Sequence, residues 1–422
     1  MKLHVLLTGN ELMAGDIIDS NSSMIAEQIR DFGWRINKKV TVGDDLDLLC
    51  KEIDALCEGA DVLIINGGLG PTSDDLTAEA MAKVCQRQIS EHPEATVHLE
   101  QWCQKRGFAL NQANRKQAML PDGCNIIANS AGSAVGIQLV HRQCLILATP
   151  GVPSELRAML SNEIIPMLSS QFSSDHIKTI RLGVFGLGES GIQEMLNTTL
   201  TDWPEDIELG FRASMPVLEV KLTARGQESD AKLRLWCEKV SHLLGDHLIG
   251  EFPTSLPEAL IQALKQHNLR LCTAESCTGG LIASQITGVA GASAVYPGSI
   301  ISYADAVKTA LLGVSTAELA KEGAVSEAVV RQMAIGAMTH TGADLAIAVT
   351  GIAGPDGGSE SKPVGTVWIA WGSKDELQSQ RFVLPFDRNG FQKWVAALSL
   401  DLCRRFVLGL SEAPQMMRRY QK

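Results

Sequence analysis

Short apolar runs alternate with stretches of helical periodicity over the first part of the chain. The runs are apolar on both faces, which is typical of strands in a parallel sheet covered by helices. The predicted strands span residues 3–7, 35–42, 61–65 and 144–148, and the predicted helices span residues 21–32, 46–57 and 76–84. This β-α-β-α-β-α order predicts a doubly wound α/β domain, in which ligands bind at the carboxyl ends of the strands.

The pattern changes twice further along the chain. The middle region has predicted strands at 177–186, 208–212 and 217–225 and predicted helices at 189–200 and 230–243, which indicates a small α+β domain. The last region has predicted strands at 269–272, 298–303 and 343–349, a strand that starts within 362–367, and helices at 281–286, from 327 to 341, and at 389–407. The sequence therefore predicts three domains, at 1–168, 169–252 and 253–422, with an α/β fold at both ends.

Composition and charge narrow the classes of protein. The 422 residues are 45% hydrophobic and 20% charged, which is ordinary for a globular protein. The net charge of −11 argues against a nucleic-acid partner. The ten cysteines are scattered without a C-x-x-C pair, which fits reduced thiols better than disulfides or zinc. No apolar run approaches the ~20 residues that span a bilayer, so we expect a cytoplasmic protein without a membrane partner.

A glycine-rich loop follows the predicted strand at 61–65. Gly67, Gly68 and Gly70 precede a helix start, an arrangement that cradles a diphosphate. The adjacent Asp74 and Asp75 carry the carboxylate oxygens that hard divalent cations prefer. The same aspartates are equally suited to capping the helix and complementing its dipole, and spacing alone leaves both interpretations open.

A second small-residue turn, 273–280, lies between a predicted strand and a predicted helix. It places Ser276 where a nucleophile stands exposed, and Gly279 and Gly280 let the backbone approach a ligand closely. The alternative is that Ser276 only caps the helix.

The motifs of the first 165 residues resemble the molybdopterin-binding-like domain of CinA proteins. The resemblance rests on residues 67–75, on 9–15 with Asp19 and Asn21, on 114–118 with Pro121, and on 150–155. It implies metal-dependent hydrolysis of ADP-ribose to AMP and ribose 5-phosphate, with Mg, Mn or Co as the cation.

The same resemblance implies roles for individual residues of this domain. It assigns the metal to Asp44, Asp74 and Asp75, and the substrate to the residues Gly67, Gly68, Gly70, Thr72 and Lys116. The alternative is that Lys116 and Arg115 are ordinary surface charges. The family usually has an acid where this chain has Asn10.

Residues 255–410 resemble the C-terminal CinA domain, the PncC-type nicotinamide-nucleotide amidase. Four motifs agree in order: 273–280, 298–308, 323–327 and 350–358 with 362–367. The resemblance implies hydrolysis of nicotinamide mononucleotide to nicotinate mononucleotide and ammonia, without a cofactor.

The motifs contain no histidine, so a lysine is the natural base for a serine nucleophile. We assign Ser276 as nucleophile, Lys308 as base, Tyr303 as proton relay and Thr350 as positioning residue. The expected substrate-binding residues are Glu275, Thr278, Gly279, Gly280, Gly351, Gly354 and Arg388. A catalytic lysine must be neutral, so we expect burial or a nearby cation to lower its pKa. The alternative for Lys308 is an exposed helix lysine.

The leading interpretation is a bifunctional enzyme that acts on nicotinamide mononucleotide and ADP-ribose. One alternative, motivated by Asn10, is an amidase with an inactive, nucleotide-binding N-terminal domain. Another is a competence-related interaction scaffold, which would need no serine, tyrosine and lysine set. We also expect a homodimer, and a fragment starting near Ser255 that folds alone.

Overall fold

The computed structural model describes residues 1–173, 177–214, 216–226, 229–410, 414–418, 420 and 421. The chain forms two compact units, one comprising 1–178 with 225–227 and the other 179–224 with 228–422. The middle and last segments therefore share one unit, whereas the boundaries at 168 and 252 stay predictions. No helix in the described ranges is both long and apolar enough to cross a membrane.

The first unit begins with a strand and alternates strands with helices. Its strands are β1 Leu3–Thr8, β2 Ile36–Val42, β3 Val62–Asn66, β4 Ile89–Glu91, β5 Met119–Pro121, β6 Asn125–Ile127, β7 Gly136–His141 and β8 Cys144–Thr149. Its helices are α1 Asn10–Ala14, α2 Asn21–Arg30, α3 Leu46–Cys57, α4 Thr77–Val84, α5 Pro93–Lys105, α6 Gln112–Arg115, α7 Pro153–Met159 and α8 Ile165–Gln171.

Six of these strands form one sheet in the order β2-β1-β3-β8-β7-β6. The first four run parallel, and β7 and β6 are antiparallel additions at one edge. Alternate residues of β3 enter two different cores: Leu63 and Ile65 pack with α3 and α4, while Val62 and Ile64 pack with α2 and α7. The predicted doubly wound fold is confirmed, because helices cover both faces of a largely parallel sheet.

The middle segment has its own sheet and core. It comprises β9 Ile177–Val184, α9 Glu189–Thr199, β10 Ile207–Ser214, β11 Val217–Arg225, α10 Ser229–Leu244 and β12 Leu248–Glu251. The strand order is β10-β11-β9-β12, and one cluster of buried side chains joins the sheet to α9 and α10. This is the predicted α+β arrangement.

The last segment is a second α/β sandwich. Its strands are β13 Leu271–Glu275, β14 Gly298–Ile301, β15 Leu345–Gly351, β16 Thr366–Gly372 and β17 Gln378–Val383. Its helices are α11 Leu256–Gln266, α12 Leu281–Thr287, α13 Asp305–Leu312, α14 Thr316–Glu322, α15 Glu327–Thr341, α16 Arg388–Val407 and α17 Gln415–Arg418. The sheet order is β14-β13-β15-β16-β17, with β13, β14 and β15 parallel and the other two strands antiparallel.

A buried ionic cluster joins α16 to the middle segment. The Asp401 carboxylate accepts from the guanidinium groups of Arg404 and Arg405 at 2.7 Å, and all three side chains are buried. Both arginines also donate to the backbone carbonyl of Asp246, at 2.8 and 3.0 Å. Buried charges need such partners, so the cluster fixes the carboxyl end of α16 against the middle segment.

Candidate active site

Ser276 stands on the turn between β13 and α12, so the predicted strand, turn and helix are confirmed. The residue is buried, with 8% exposure, so the expectation of an exposed position for Ser276 is wrong. Its backbone N–H donates to the carbonyl of Val349 in β15 at 3.1 Å, which fixes the turn at the carboxyl edge of the sheet. Gly280 closes the turn with φ +97°, in the left-handed region that favours glycine. A Cβ there would lie 2.8 Å from the Ile301 side chain.

Glu275 occupies a different place from the predicted substrate contact. It is fully buried, and its carboxylate accepts from the Thr278 hydroxyl at 2.7 Å and from the backbone N–H groups of Gly280, Ile282 and Ala283 at 3.1, 3.1 and 2.8 Å. The carboxylate thus satisfies the free N–H groups at the start of α12 and complements the helix dipole. Glu275 holds the turn that carries Ser276, and the Thr278 side chain points inward to the same carboxylate.

The backbone of the turn leaves two donors for an oxyanion. The N–H groups of Ser276, Gly279 and Gly280 already have partners. Within the described part of the chain, the N–H groups of Cys277 and Thr278 have no oxygen acceptor, although both interact with the Cys277 sulfur. An oxyanion hole needs such N–H groups beside the nucleophile, so the geometry narrows the predicted 276–280 donors to these two.

Cys277 is excluded as a competing nucleophile. Burial raises the pKa of its thiol to about 12. The thiolate is the reactive form of cysteine, so the side chain stays an inert thiol at neutral pH. Its carbonyl accepts from the side chain of Gln392 at 2.9 Å, which ties the turn to α16.

Lys308 is buried, with 1% of its surface exposed, so the alternative of an exposed helix lysine is wrong. Its Nζ donates to the carbonyls of Ser302 and Tyr303 at 3.0 and 3.1 Å, and to the Asp305 carboxylate at 3.3 Å. Three acceptors match the three protons of an ammonium. To act as a base, Nζ must present a lone pair, so it can then keep at most two of these three contacts.

Tyr303 does not present its hydroxyl to Lys308. The residue is 60% exposed, and its phenol oxygen accepts from the Arg388 guanidinium at 2.9 Å. The other Arg388 nitrogen donates to the carbonyl of Gly354 at 2.8 Å. The structure therefore brings Tyr303, Arg388 and Gly354 together, but leaves the predicted proton relay from Tyr303 to Lys308 unassembled.

Thr350 and Gly351 end β15 next to the Ser276 turn. The Thr350 hydroxyl donates to the carbonyl of Ala324 at 2.8 Å and is buried, so it anchors the 323–326 loop. A Cβ at Gly351 would meet the carbonyl of Thr366 at 2.7 Å, so glycine permits the close approach of β16. Both residues shape the edge where the turn sits, and neither makes a hydrogen bond to the Ser276 hydroxyl.

The first unit carries a cavity of about 490 Å³ at the carboxyl edge of its sheet. The loops after β1, β2, β3 and β8 meet there, as the sequence predicted. Its lining includes backbone of Gly67, Gly68 and Gly70. A Cβ at Gly67 would lie 2.5 Å from the Thr8 carbonyl, at φ +112°, so only glycine fits this turn. Sequence reasoning missed Gln117 and Ser133, which also line the cavity.

The predicted metal ligands Asp44, Asp74 and Asp75 all line this cavity, together with Glu11 and Glu155. No three acidic, histidine or cysteine side chains of the described residues form a group that could hold a metal ion. The oxygens of Asp44 accept from the Thr8 hydroxyl and the Asn10 N–H, and Asp75 accepts from Thr72. The donor set fits a cation held by one or two carboxylates and the substrate's phosphates, as Mg²⁺ commonly is.

Lys116 and Thr72 stabilise the glycine-rich loop. The Lys116 Nζ donates to the carbonyls of Thr72 and Asp75, the latter at 2.9 Å. The Thr72 hydroxyl donates to the Asp75 carboxylate at 2.6 Å. Lys116 lines an adjoining cavity of about 290 Å³ rather than the larger one. Two of the three Nζ protons are used by the loop, so one remains for the predicted phosphate contact of Lys116.

The fold and the site together define an α/β protein with a serine on the turn after β13 and a buried lysine on α13. The family model for the CinA C-terminal domain matches residues 253–407, and that for a probable molybdopterin binding domain matches residues 4–170. A CinA-like protein of Colwellia psychrerythraea is 51% identical over 417 residues, which cover 98% of this chain and 96% of that protein. The chain belongs to the CinA family.

Two further relatives are similar to this chain. The nicotinamide-nucleotide amidohydrolase PncC of Shewanella oneidensis is 38% identical over 410 residues, which cover 97% of this chain and 96% of that protein. The crystal structure of a competence-damaged protein (CinA) superfamily protein from Klebsiella pneumoniae is 35% identical, covers 36% of this chain and 96% of its own, and has a TM-score of 0.36.

Proposed function

We propose that this protein hydrolyses the carboxamide of nicotinamide mononucleotide, releasing ammonia and nicotinate mononucleotide. The observation that carries the proposal is the turn 276–280, which combines a serine with two backbone N–H groups that have no oxygen acceptor among the described residues. The buried Lys308 is held by Ser302, whose N–H donates to the carbonyl of Glu275 just before the turn. The activity named for the Shewanella oneidensis relative supports the same substrate.

The reaction proceeds through an acyl-enzyme. Lys308, once neutral, takes the proton of Ser276 as the serine oxygen bonds to the carboxamide carbon. The N–H groups of Cys277 and Thr278 stabilise the negative charge that develops on the carbonyl oxygen. Lys308 returns the proton to the nitrogen, the carbon–nitrogen bond breaks, and ammonia leaves. Water then attacks the ester, and its proton restores the serine hydroxyl.

A neutral Lys308 would give up one of its three contacts. The contact to Asp305 is the longest of the three, at 3.3 Å, and Asp305 is largely exposed. A neutral lysine keeps two donors for the carbonyls of Ser302 and Tyr303 and turns its lone pair away from them. Arg388, held between Tyr303 and Gly354, is the cation best placed for the substrate's 5′-phosphate.

Incubation of the pure protein with nicotinamide mononucleotide and measurement of ammonia tests this proposal. We expect release by the wild type and loss of several orders of magnitude in Ser276→Ala and Lys308→Met, because nucleophile and base act as a unit. Near-normal turnover of Lys308→Met would show that the base assignment is wrong. A wild type that releases no ammonia would overturn the proposal and leave the scaffold alternative.

A second activity is proposed for the first unit: hydrolysis of ADP-ribose to AMP and ribose 5-phosphate. It is supported by the cavity of about 490 Å³, whose glycine backbone and carboxylates suit a diphosphate and a divalent cation. We expect AMP release with Mg²⁺, Mn²⁺ or Co²⁺ and none with a chelator; cleavage that survives chelation contradicts the metal role. If ADP-ribose only binds, the first unit is the nucleotide-binding domain of the amidase alternative. The homodimer stays a prediction, which sedimentation velocity tests.

A further inference from the structure

Ser302 lies one residue beyond β14, and its hydroxyl is an unexplained buried polar group. The residue has 0% exposure, and its Oγ has no hydrogen-bond partner among the residues that the structure describes. A buried hydroxyl without a partner destabilises a fold, so such groups in native proteins call for a functional explanation.

The strand register places Ser302 next to Ser276. In the parallel pair β13 and β14, Glu275 lies opposite Ile301, and the Ser302 N–H donates to the Glu275 carbonyl at 2.8 Å. Ser276 and Ser302 are the next residues after Glu275 and Ile301, at the ends of these two neighbouring strands. The paired register ends at Glu275 and Ile301. Side chains alternate along a strand, so continuing both strands by one residue puts the two serines on the face opposite Glu275 and Ile301.

That face is the one from which Lys308 enters. Cys272 and Ala274 of β13 pack there with Leu312 of α13, the helix that carries Lys308. The Lys308 Nζ already donates to the backbone carbonyl of Ser302 at 3.0 Å. Ser302 therefore holds Lys308 through its backbone carbonyl, and it follows β14 at the level where Ser276 follows β13.

We propose that Ser302 is the proton relay between Ser276 and Lys308 in the amidase reaction. The inference rests on the proposed function. When Ser276 attacks, its proton moves to the Ser302 oxygen, and the Ser302 proton moves to the neutral Nζ of Lys308. One proton leaves Ser276, one arrives on Lys308, and Ser302 is unchanged. The Ser302 Oγ is not hydrogen-bonded to Ser276 or to Lys308 Nζ in this structure, so the relay forms when the Ser302 side chain rotates to bridge them. It then fills the role that the phenol of Tyr303 cannot take while it is bonded to Arg388.

The test is Ser302→Ala, with Ser399→Ala as the matched control. Ser399 is also a fully buried serine, but its hydroxyl donates to the Val395 carbonyl at 2.7 Å and lies inside α16. For Ser302→Ala we expect kcat for ammonia release to fall about 10²–10⁴-fold, the usual contribution of a proton-transfer group, with KM changed by less than about twofold. The melting temperature should stay the same or rise, because the lost hydroxyl bonds nothing. Ser399→Ala should keep kcat and lower the melting temperature.

Solvent isotope effects separate a relay from a packing role. Two protons move together in the wild type, so the rate should fall as a curved function of the D₂O fraction and become linear in Ser302→Ala. Labelling of Ser276 by a fluorophosphonate probe is measured in parallel, because it needs an activated serine but no natural substrate. We expect Ser302→Ala to slow labelling by a similar factor.

Each outcome decides the inference. A Ser302→Ala protein with wild-type kcat and labelling rate overturns the relay. So does a variant that loses activity together with its fold, because that result gives the hydroxyl a structural role. Wild-type protein that is labelled at Ser276 but releases no ammonia contradicts the proposed substrate only, and the labelling rates still decide the role of Ser302.

Discussion

The buried carboxylate of Glu275 allows a prediction that separates a structural role from a substrate contact. One oxygen accepts from Thr278, Gly280 and Ile282, and the other accepts from the N–H of Ala283 and, at 3.4 Å, from the Thr273 hydroxyl. In Glu275→Gln the amide has a single acceptor oxygen, so its NH₂ group must face at least one N–H donor. The loss of one hydrogen bond to a charged group costs about 1.5–3 kcal/mol.

Hydrogen exchange of the peptide amides at 280–283 measures this loss locally. A loss of about 1.5–3 kcal/mol corresponds to opening that is roughly ten- to hundredfold more frequent, and to exchange faster by the same factor. The displaced turn should also lower kcat, because a shift of about 1 Å in a reacting group lowers a rate about 10²-fold. Glu322→Gln, an exposed glutamate paired with Lys321 on the surface, is the control and should leave both quantities unchanged.

The refuting result is equally specific. If Glu275→Gln exchanges at the wild-type rate and raises KM without lowering kcat, the carboxylate contacts substrate and our structural assignment is wrong. A variant that loses both protection and kcat supports the assignment.

Three further predictions concern other parts of the molecule. Asp75→Ala should abolish ADP-ribose cleavage but leave ammonia release intact, and Ser276→Ala should do the reverse; loss of both activities in either variant would show that the two sites are coupled. Because burial raises the pKa of Cys277 to about 12, iodoacetamide at pH 8 should leave the amidase active, and substrate-protected inactivation would contradict the inert thiol. Burial lowers the pKa of His247 from its ordinary 6.5. Below about 6.5 the imidazole is therefore protonated more readily in the unfolded chain than in the folded one. The free energy of unfolding should fall as the pH drops below about 6.5. Urea unfolding of the wild type and of His247→Gln at pH 7 and pH 5 measures this, and equal pH dependence of the two proteins would exclude His247 as the cause.

Hydrophobic periodicity predicted the elements well wherever a single helix or strand faces one core. The helix at 46–57 has the predicted bounds, and the closing helix begins one residue before its predicted start. The strand predicted at 269–272 instead spans Leu271–Glu275. Thr273 and Glu275 are polar but buried, because one bonds Tyr296 and the other caps α12. A polar residue whose partner lies on another element carries no local signal of burial.

The same limit applies to the site. The motifs predicted Ser276 and Lys308 as site residues, and Arg388 was predicted from outside them, but the pairing of side chains follows from strand register. The bond between Arg388 and Tyr303 joins residues 85 positions apart. No sequence pattern distinguishes Ser302 from other serines. It differs from them only in being buried and in having a hydroxyl without a hydrogen-bond partner among the described residues. Strand register and burial arise only when the sheet assembles, so sequence analysis could not predict these features of the site.

The ionic cluster of Asp401, Arg404 and Arg405 determines where this polypeptide can be divided. Excision at Ser255 would remove the Asp246 carbonyl that both guanidinium groups use, and with it Phe185, whose ring lies 6.1 Å from that of Trp394. The helix that begins with Arg388 at one end would then lose its attachment at the other, about 25 Å away at 1.5 Å per residue. A minimal fragment that carries the proposed amidase site is therefore better begun near Thr179 than at Ser255, so that the middle segment and its contacts with α16 are retained.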